Sequence, residues 1–195
     1  MCDVTHAVSV LLCEGGARRL LPAEECLALL LSALCHDAEH PGTTNGFLAR
    51  SQDPMVAQYG IKSTLEQHHA AVAKALLHTP AACGVLGGLA PEQTERVLAL
   101  IPHLIGATDI EHHGVHMEAF AAHWGDGAPT RPEDEVCGDA AARDALLALL
   151  LKAADVSNAA KPWPLAARWA GLLKAEHLLL GTMCHVLYAC LLCAC

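Results

Sequence analysis

Apolar residues recur along this chain at helical rather than strand spacing. From Pro22 to Cys35 the chain opens on proline and two acidic residues, as helix starts do, and then runs apolar almost all round, as a core helix does. Asp53-Pro54 starts a short helix. Ser63 begins a longer one reaching Leu77, with Ser63 and Glu66 spaced as a capping box, and it ends before Thr79-Pro80. Residues 81–90 are glycine-rich and predict a loop. Pro91 to Ile105 places Val97, Leu98, Ile101, Leu104 and Ile105 on one face, with Pro102 as a kink. Residues 124–138 read as a polar loop. Asp139 caps a helix over 140–154, whose Leu146, Leu147, Leu149, Leu150 and Leu151 predict burial. A last helix spans Trp163 to His177, followed by residues 178–195 without a single charge.

Composition sharpens this into an all-α expectation. The chain has 195 residues, enough for one domain that buries roughly two-thirds of its unfolded surface. Its hydrophobic content of 53% lies mainly in Leu, Ala and Val with only 4% aromatic, a helix-forming mixture. The net charge of −9 with 12 Lys and Arg argues against a nucleic-acid partner, and a small anionic substrate would need metal cations. Ten cysteines at irregular spacing, without a leader-like segment, predict free thiols and a cytoplasmic setting. Cys190, Cys193 and Cys195 lack the second ligand pair of a zinc ribbon. The apolar tail 178–195 is barely long enough to span a bilayer, and Gly181, His185 and the lack of flanking cations count against that. A divergent end is the expectation, with membrane association through the tail as the alternative.

The densest chemistry lies between Cys35 and His69. His36 and Asp37 are adjacent and His40 follows one turn later, so an imidazole and a carboxylate can reach one ion while a second imidazole points the same way. Pro41-Gly42 stops the helix. Glu66 and His69 then share a face of the next helix. Read together, H-D-x-x-H-P-G-x-x-N-x-F from His36 and S-x-L-E-x-H-H from Ser63 resemble the class I 3′,5′-cyclic nucleotide phosphodiesterases, within the HD-type metal phosphohydrolases. Thr108, Asp109 and His113 resemble the family's T-D-x-x-x-H element. Ala154 to Pro162 resembles its A-D-x-S-N-x-x-K-P motif. His112 and His116 read as exposed helix residues.

The resemblance implies a compact multi-helix domain of that family, incomplete, over residues 1–177, with 178–195 as a divergent tail. It implies hydrolysis of cyclic AMP or cyclic GMP to the 5′-nucleotide by a hydroxide bridging two divalent ions, Zn2+ and Mg2+ or Mn2+. Asp37 would bridge the ions, His36 and Asp155 would complete the tighter one, and His40, Glu66, His69, Thr108 and Asp109 would orient water and phosphate around them. Asn158 would lie near the base.

The N-terminus admits two registers against the family's H-N-x-x-H-A-x-D-V. One places His6 on the metal histidine and Cys2 on the general acid. The other, adopted here, places Asp3-Val4 on the closing D-V and runs without a gap to His36, so both family histidines fall upstream of Met1 and His6 is a helix-face residue. The family's purine-gripping glutamine and aromatic clamp have no counterpart in 178–195. Two readings of different class follow: the core of a metal-dependent phosphodiesterase truncated at both ends, and a catalytically inactive helical interaction protein with a vestigial metal site. A broader HD-type phosphohydrolase is a third, disfavoured by Asn45, Leu65-Glu66 and Ser157-Asn158. The choice between cyclic AMP and cyclic GMP is not encoded in the motifs present.

Overall fold

The computed structural model describes residues 2–79, 83–125 and 138–179, and every regular element among them is helical. In chain order these are α1 (Cys2–Cys13), α2 (Ala23–Cys35), α3 (Asn45–Ser51), α4 (Pro54–Tyr59), α5 (Thr64–Leu77), α6 (Cys83–Leu86), α7 (Pro91–Ala107), α8 (His113–Trp124), α9 (Ala140–Asp155) and α10 (Trp163–Leu179). Short 3-10 turns occupy Ala17–Arg19, Ile110–His112 and Val156–Ala160.

The bundle is built around α2 and α7. Ala28, Leu29 and Ala33 of α2 bury against the face of α7 that carries Val97, Leu100, Ile101, Leu104 and Ile105. Fully burying each such Leu or Ile stabilises the fold by about 1.5–3 kcal/mol. Helix α5 packs on α7 through Ala70 and Ala73, small residues that let the two backbones approach. Helix α9 adds Leu147, Ala148, Leu151 and Ala154. Helix α1 leans on α2 and α9 through Val4, Val8 and Leu12, spaced four apart on one face.

One polar seam crosses this core. Glu25, 1% exposed in the first turn of α2, accepts hydrogen bonds from Arg96 Nε at 3.0 Å and Nη2 at 2.8 Å, and from Arg143 Nε at 2.9 Å. Arg96 also pairs with Asp144. Three helices, α2, α7 and α9, are thereby locked in register by one carboxylate.

The structure departs from the sequence reading in places. Within the expected glycine-rich loop, Cys83–Leu86 form a helical turn, while residues 81–82 lie outside the described residues. Helix α7 continues past Ile105 to Ala107 with Pro102 inside it. Trp124 is not in a polar loop: it is the last residue of α8, 5% exposed, stacked on Phe120 at 5.7 Å and donating from Nε1 to Ala142 O at 3.2 Å. That anchor carries α8 on to Gly125, which takes a φ of 70° and ends the helix. The rest of the expected loop, residues 126–137, and the tail 180–195 with Cys190, Cys193 and Cys195, lie outside the described residues. Asp139 caps α9 as expected, accepting from Ala142 N–H at 3.1 Å.

Helix α10 passes His177 to end at Leu179 and packs chiefly on the 3-10 turn before it. Trp163, Leu165, Trp169 and Leu172 are 65%, 56%, 49% and 60% exposed. Among the described residues no helix is long and apolar enough to cross a membrane.

Candidate metal centre

Where α2 stops, the chain folds tightly. His36 caps the helix, His40 N–H donates to Asp37 O at 3.2 Å, and Glu39 takes a left-handed φ of 58°, uncommon for a residue with a side chain. The turn gathers His36, Asp37 and His40, and the C-terminus of α9 and the first turns of α5 meet it.

His36 is 2% exposed. Its Nδ1 lies 2.9 Å from Ala33 O, a pure acceptor, so Nδ1 carries the proton. Nε2 then faces Asp37 Oδ2 at 3.3 Å and Asp155 Oδ1 at 3.4 Å. Donor atoms bound at 2.0–2.1 Å around one tetrahedral ion stand about 3.3 Å apart, so the spacing of His36 to each carboxylate suits a zinc-sized cation. Burial opposes charge on this imidazole, yet the hydrogen bonds and charges of Asp155 and Asp37 carry its pKa up to about 10. Asp37 has an exposed side chain; the desolvation it does experience raises a carboxyl, but its hydrogen bond to His36 and the charges of His36, His40 and His69 leave it below the usual range.

Asp37 belongs to a second group as well. One ligand atom each of Asp37, His40 and His69 lies within 4.8 Å of the others, and the His40 and His69 rings stack at 5.6 Å. Their proton placements differ. His69 Nδ1 donates to Ala38 O at 2.7 Å, so Nε2 keeps a lone pair, and burial holds its pKa below the ordinary value against that hydrogen bond. His40 Nδ1 accepts from Gly42 N–H at 3.0 Å, so its neutral ring carries the proton on Nε2 and offers a donor. His40 and His69, which the resemblance assigns to orienting water and phosphate, both lie beside Asp37.

The expected capping box is not formed. Ser63 sits at a left-handed φ of 49° and makes no side-chain cap; its hydroxyl donates to Asp109 Oδ2 at 2.6 Å. The physical reason is the demand of Asp109, whose carboxylate is 3% exposed and takes Glu111 N–H on its other oxygen at 2.9 Å. Asn45 caps α5 instead: its Oδ1 accepts from Leu65 N–H at 2.9 Å while its Nδ2 donates to Glu66 Oε2 at 2.9 Å. Burial raises the Glu66 pKa against the hydrogen bond from Asn45.

The remaining positions are more local. Thr108 closes α7, donating to Ile105 O at 2.7 Å. Asn158 Nδ2 donates to Asp155 O at 3.3 Å, tying down the turn behind that carboxylate. His113 is exposed at the start of α8, and His6 is exposed on α1. The sequence reading missed several contacts: Lys152 Nζ donating to Ala107 O at 2.7 Å and Asp109 O at 3.2 Å, His68 Nε2 facing Glu39 at 3.3 Å, and Lys161 pairing with Asp3. Each joins residues distant in sequence, so no local pattern signals them.

The family model described as 3′5′-cyclic nucleotide phosphodiesterase matches residues 1–185. The chain belongs to that family. Among its phosphodiesterase relatives, the 3′,5′-cyclic-nucleotide phosphodiesterase regA of Dictyostelium discoideum is 34% identical over 167 residues, covering 86% of this chain and 20% of its own length. The dual specificity calcium/calmodulin-dependent 3′,5′-cyclic nucleotide phosphodiesterase 1C of Homo sapiens is 32% identical over 174 residues, covering 89% and 23%. The phosphodiesterase domain of the Salpingoeca rosetta rhodopsin phosphodiesterase superposes with a TM-score of 0.80 at 30% identity, over 89% of this chain and 51% of that domain. The chain thus spans about half of a solved phosphodiesterase domain and a fifth to a quarter of these curated relatives.

Proposed function

We propose that this chain carries the metal-binding core of a phosphodiesterase that hydrolyses 3′,5′-cyclic nucleotides to 5′-nucleotides. The observation that supports it best is the position of Asp37, which is shared between a group with His36 and Asp155 and a group with His40 and His69. A carboxylate has two oxygens, so Asp37 can face two ions, with the His69 Nε2 lone pair beside one of them and the His40 N–H placed to hold a water or an anionic oxygen. His36, Asp37 and Asp155 would hold the tighter, zinc-like ion. The second, Mg2+ or Mn2+, would sit on the Asp37 side toward His40 and His69. Divalent ions bound there would supply Lewis acidity toward the phosphoryl oxygens and lower the pKa of water.

The protein's own side chains do the positioning. Ala33 O fixes the His36 tautomer that points Nε2 at both carboxylates, and Asn158 steadies the turn carrying Asp155. His40, with its proton on Nε2, suits an anionic oxygen or a water, and the half-buried Glu66 is oriented by Asn45. Asp109, gripped by Ser63, braces the start of α5, and Thr108 closes the helix before it. Asn158 is also the candidate contact for the base. The reading takes in cyclic AMP and cyclic GMP alike. Among the described residues, Cys2, Cys13, Cys26 and Cys35 are free thiols.

Mn2+ favours carboxylate oxygen and is the probe of choice. Chelator-treated protein titrated calorimetrically with Mn2+ should bind it, and Asp37→Ala should weaken that binding at least 100-fold. Hydrolysis of both nucleotides, followed by release of 5′-nucleotide, should fall to background in the same variant. Unchanged Mn2+ binding by Asp37→Ala overturns the reading. Mn2+ bound at Asp37 without turnover of either nucleotide replaces it with that of a non-catalytic binding protein.

A further inference from the structure

Lys152 is a lysine where an apolar residue would be expected. It lies in the last turns of α9, three residues before Asp155, and is 6% exposed. Lysine is rarely buried unless its charge is balanced. The direct partners of Nζ are two carbonyls, Ala107 O at 2.7 Å and Asp109 O at 3.2 Å. Ala107 is the last residue of α7, so the ammonium sits at the negative end of that helix. A methionine there would fill the same space without needing any partner. What lysine adds is a fixed positive charge.

That charge is set among acids of the candidate metal centre. Asp155 follows it on the same helix, Asp109 belongs to the turn it grips, and Glu66 reaches toward it from α5; all three pull its pKa up while burial draws it below the ordinary value. We propose that Lys152 is a charge-balancing residue of that centre, a fixed cation behind Asp155 that offsets part of the carboxylate charge and limits how strongly divalent cations are drawn in. The proposal rests on the reading of the Asp37 centre as a divalent-cation site. A dication bound by Asp155, about one helical turn from a unit positive charge in surroundings of effective dielectric about 20, meets a repulsion worth more than a tenfold change in affinity. With Asp37, Asp155, Asp109 and Glu66 close together and no such cation, the centre would hold an ion too tightly to exchange it.

The same charge is felt on the opposite side, by α8. Burial first, and then Lys152, hold the His116 pKa below its ordinary value, with His103, His112 and His113 adding to the effect. Lys152 thus faces three carboxylates, from α9, the Asp109 turn and α5, and one imidazole from α8. That imidazole reports the charge without any metal present.

The test compares the native full chain with Lys152→Met, which keeps most of the side-chain length, and Lys152→Gln, which keeps a donor for the two carbonyls. Each is chelator-treated and titrated calorimetrically with Mn2+. Loss of the charge should tighten Mn2+ binding at least tenfold in both variants. A lysine that only braces the turn predicts the reverse, because a loosened turn weakens binding. NMR titration of the His116 imidazole in the metal-free proteins should show its pKa rising toward the ordinary value in both variants. Lys152→Gln carries the comparison alone if methionine, which leaves the two carbonyls without a donor, unfolds the chain. Weaker or unchanged Mn2+ binding in the variants overturns the proposal, and so does a His116 titration that stays where it was. A native chain that binds no Mn2+ removes the Asp37 reading and this proposal with it, whereas native binding that fails to tighten in the variants removes this proposal alone.

Discussion

At the scale of residues, His36 turns proximity into a measurable pH dependence. Its pKa in the folded protein is about 10, against an ordinary 6.5, because Asp155 and Asp37 outweigh burial. A group whose pKa is raised by folding contributes stability that is complete below its unfolded pKa and is lost as pH rises through the folded one. Chelator-treated protein should therefore lose stability in urea melts between about pH 6.5 and 10. Asp155→Asn should flatten that slope, and an unaltered slope in the variant would show that the imidazole–carboxylate contact does not form. The local cluster was legible in the sequence because His36, Asp37 and His40 lie in one short run and Asp155 lies in a motif. The role of Ser63 was not legible. A serine three residues before a glutamate reads as a capping box, but the buried Asp109, 46 residues away, takes its hydroxyl instead. Nor was the role of Asn45, which joins the cap of α5 to Glu66 across 21 residues.

At the scale of elements, the seam at Glu25 decides how α2, α7 and α9 hold together. Glu25→Ala leaves two guanidinium groups facing a buried gap and should cost about 3–5 kcal/mol of unfolding free energy in denaturant titration. Asp144→Ala, at a site 34% exposed, should cost about 1 kcal/mol or less. Equal losses in the two variants would mean that the seam is not centred on Glu25. Helices α2, α5, α7, α9 and α10 were all legible from periodicity, since each runs long enough for its pattern to repeat. The four-residue turn Cys83–Leu86 was not, because a single turn carries no period and glycines surround it. Trp124 was misassigned because its neighbours Gly125 to Gly127 are loop-forming, while its burial depends on Phe120 and Ala142.

At the scale of the whole molecule, the three tryptophans report on how unevenly its surface is finished. Trp124 is 5% exposed, whereas Trp163 and Trp169 on α10 are 65% and 49% exposed. Acrylamide should quench most of the emission of the native protein. The Trp163→Phe, Trp169→Phe double variant should leave a blue-shifted remainder that resists quenching. A fully quenchable remainder would contradict the seat of Trp124 between α8 and α9. The ion pair of Asp3 with Lys161 has a different consequence, one of folding order. It joins positions 158 residues apart and sets the start of α1 beside the turn that carries Asp155. Contacts of such high contact order pay the largest loop-closure entropy and form late. The His36–Asp155 approach is also long in sequence, so that contact too closes late on the folding route. A half-folded chain holds His36, Asp37 and His40 close together in one short run but lacks Asp155, so the full set of acids and imidazoles is assembled only with the native fold.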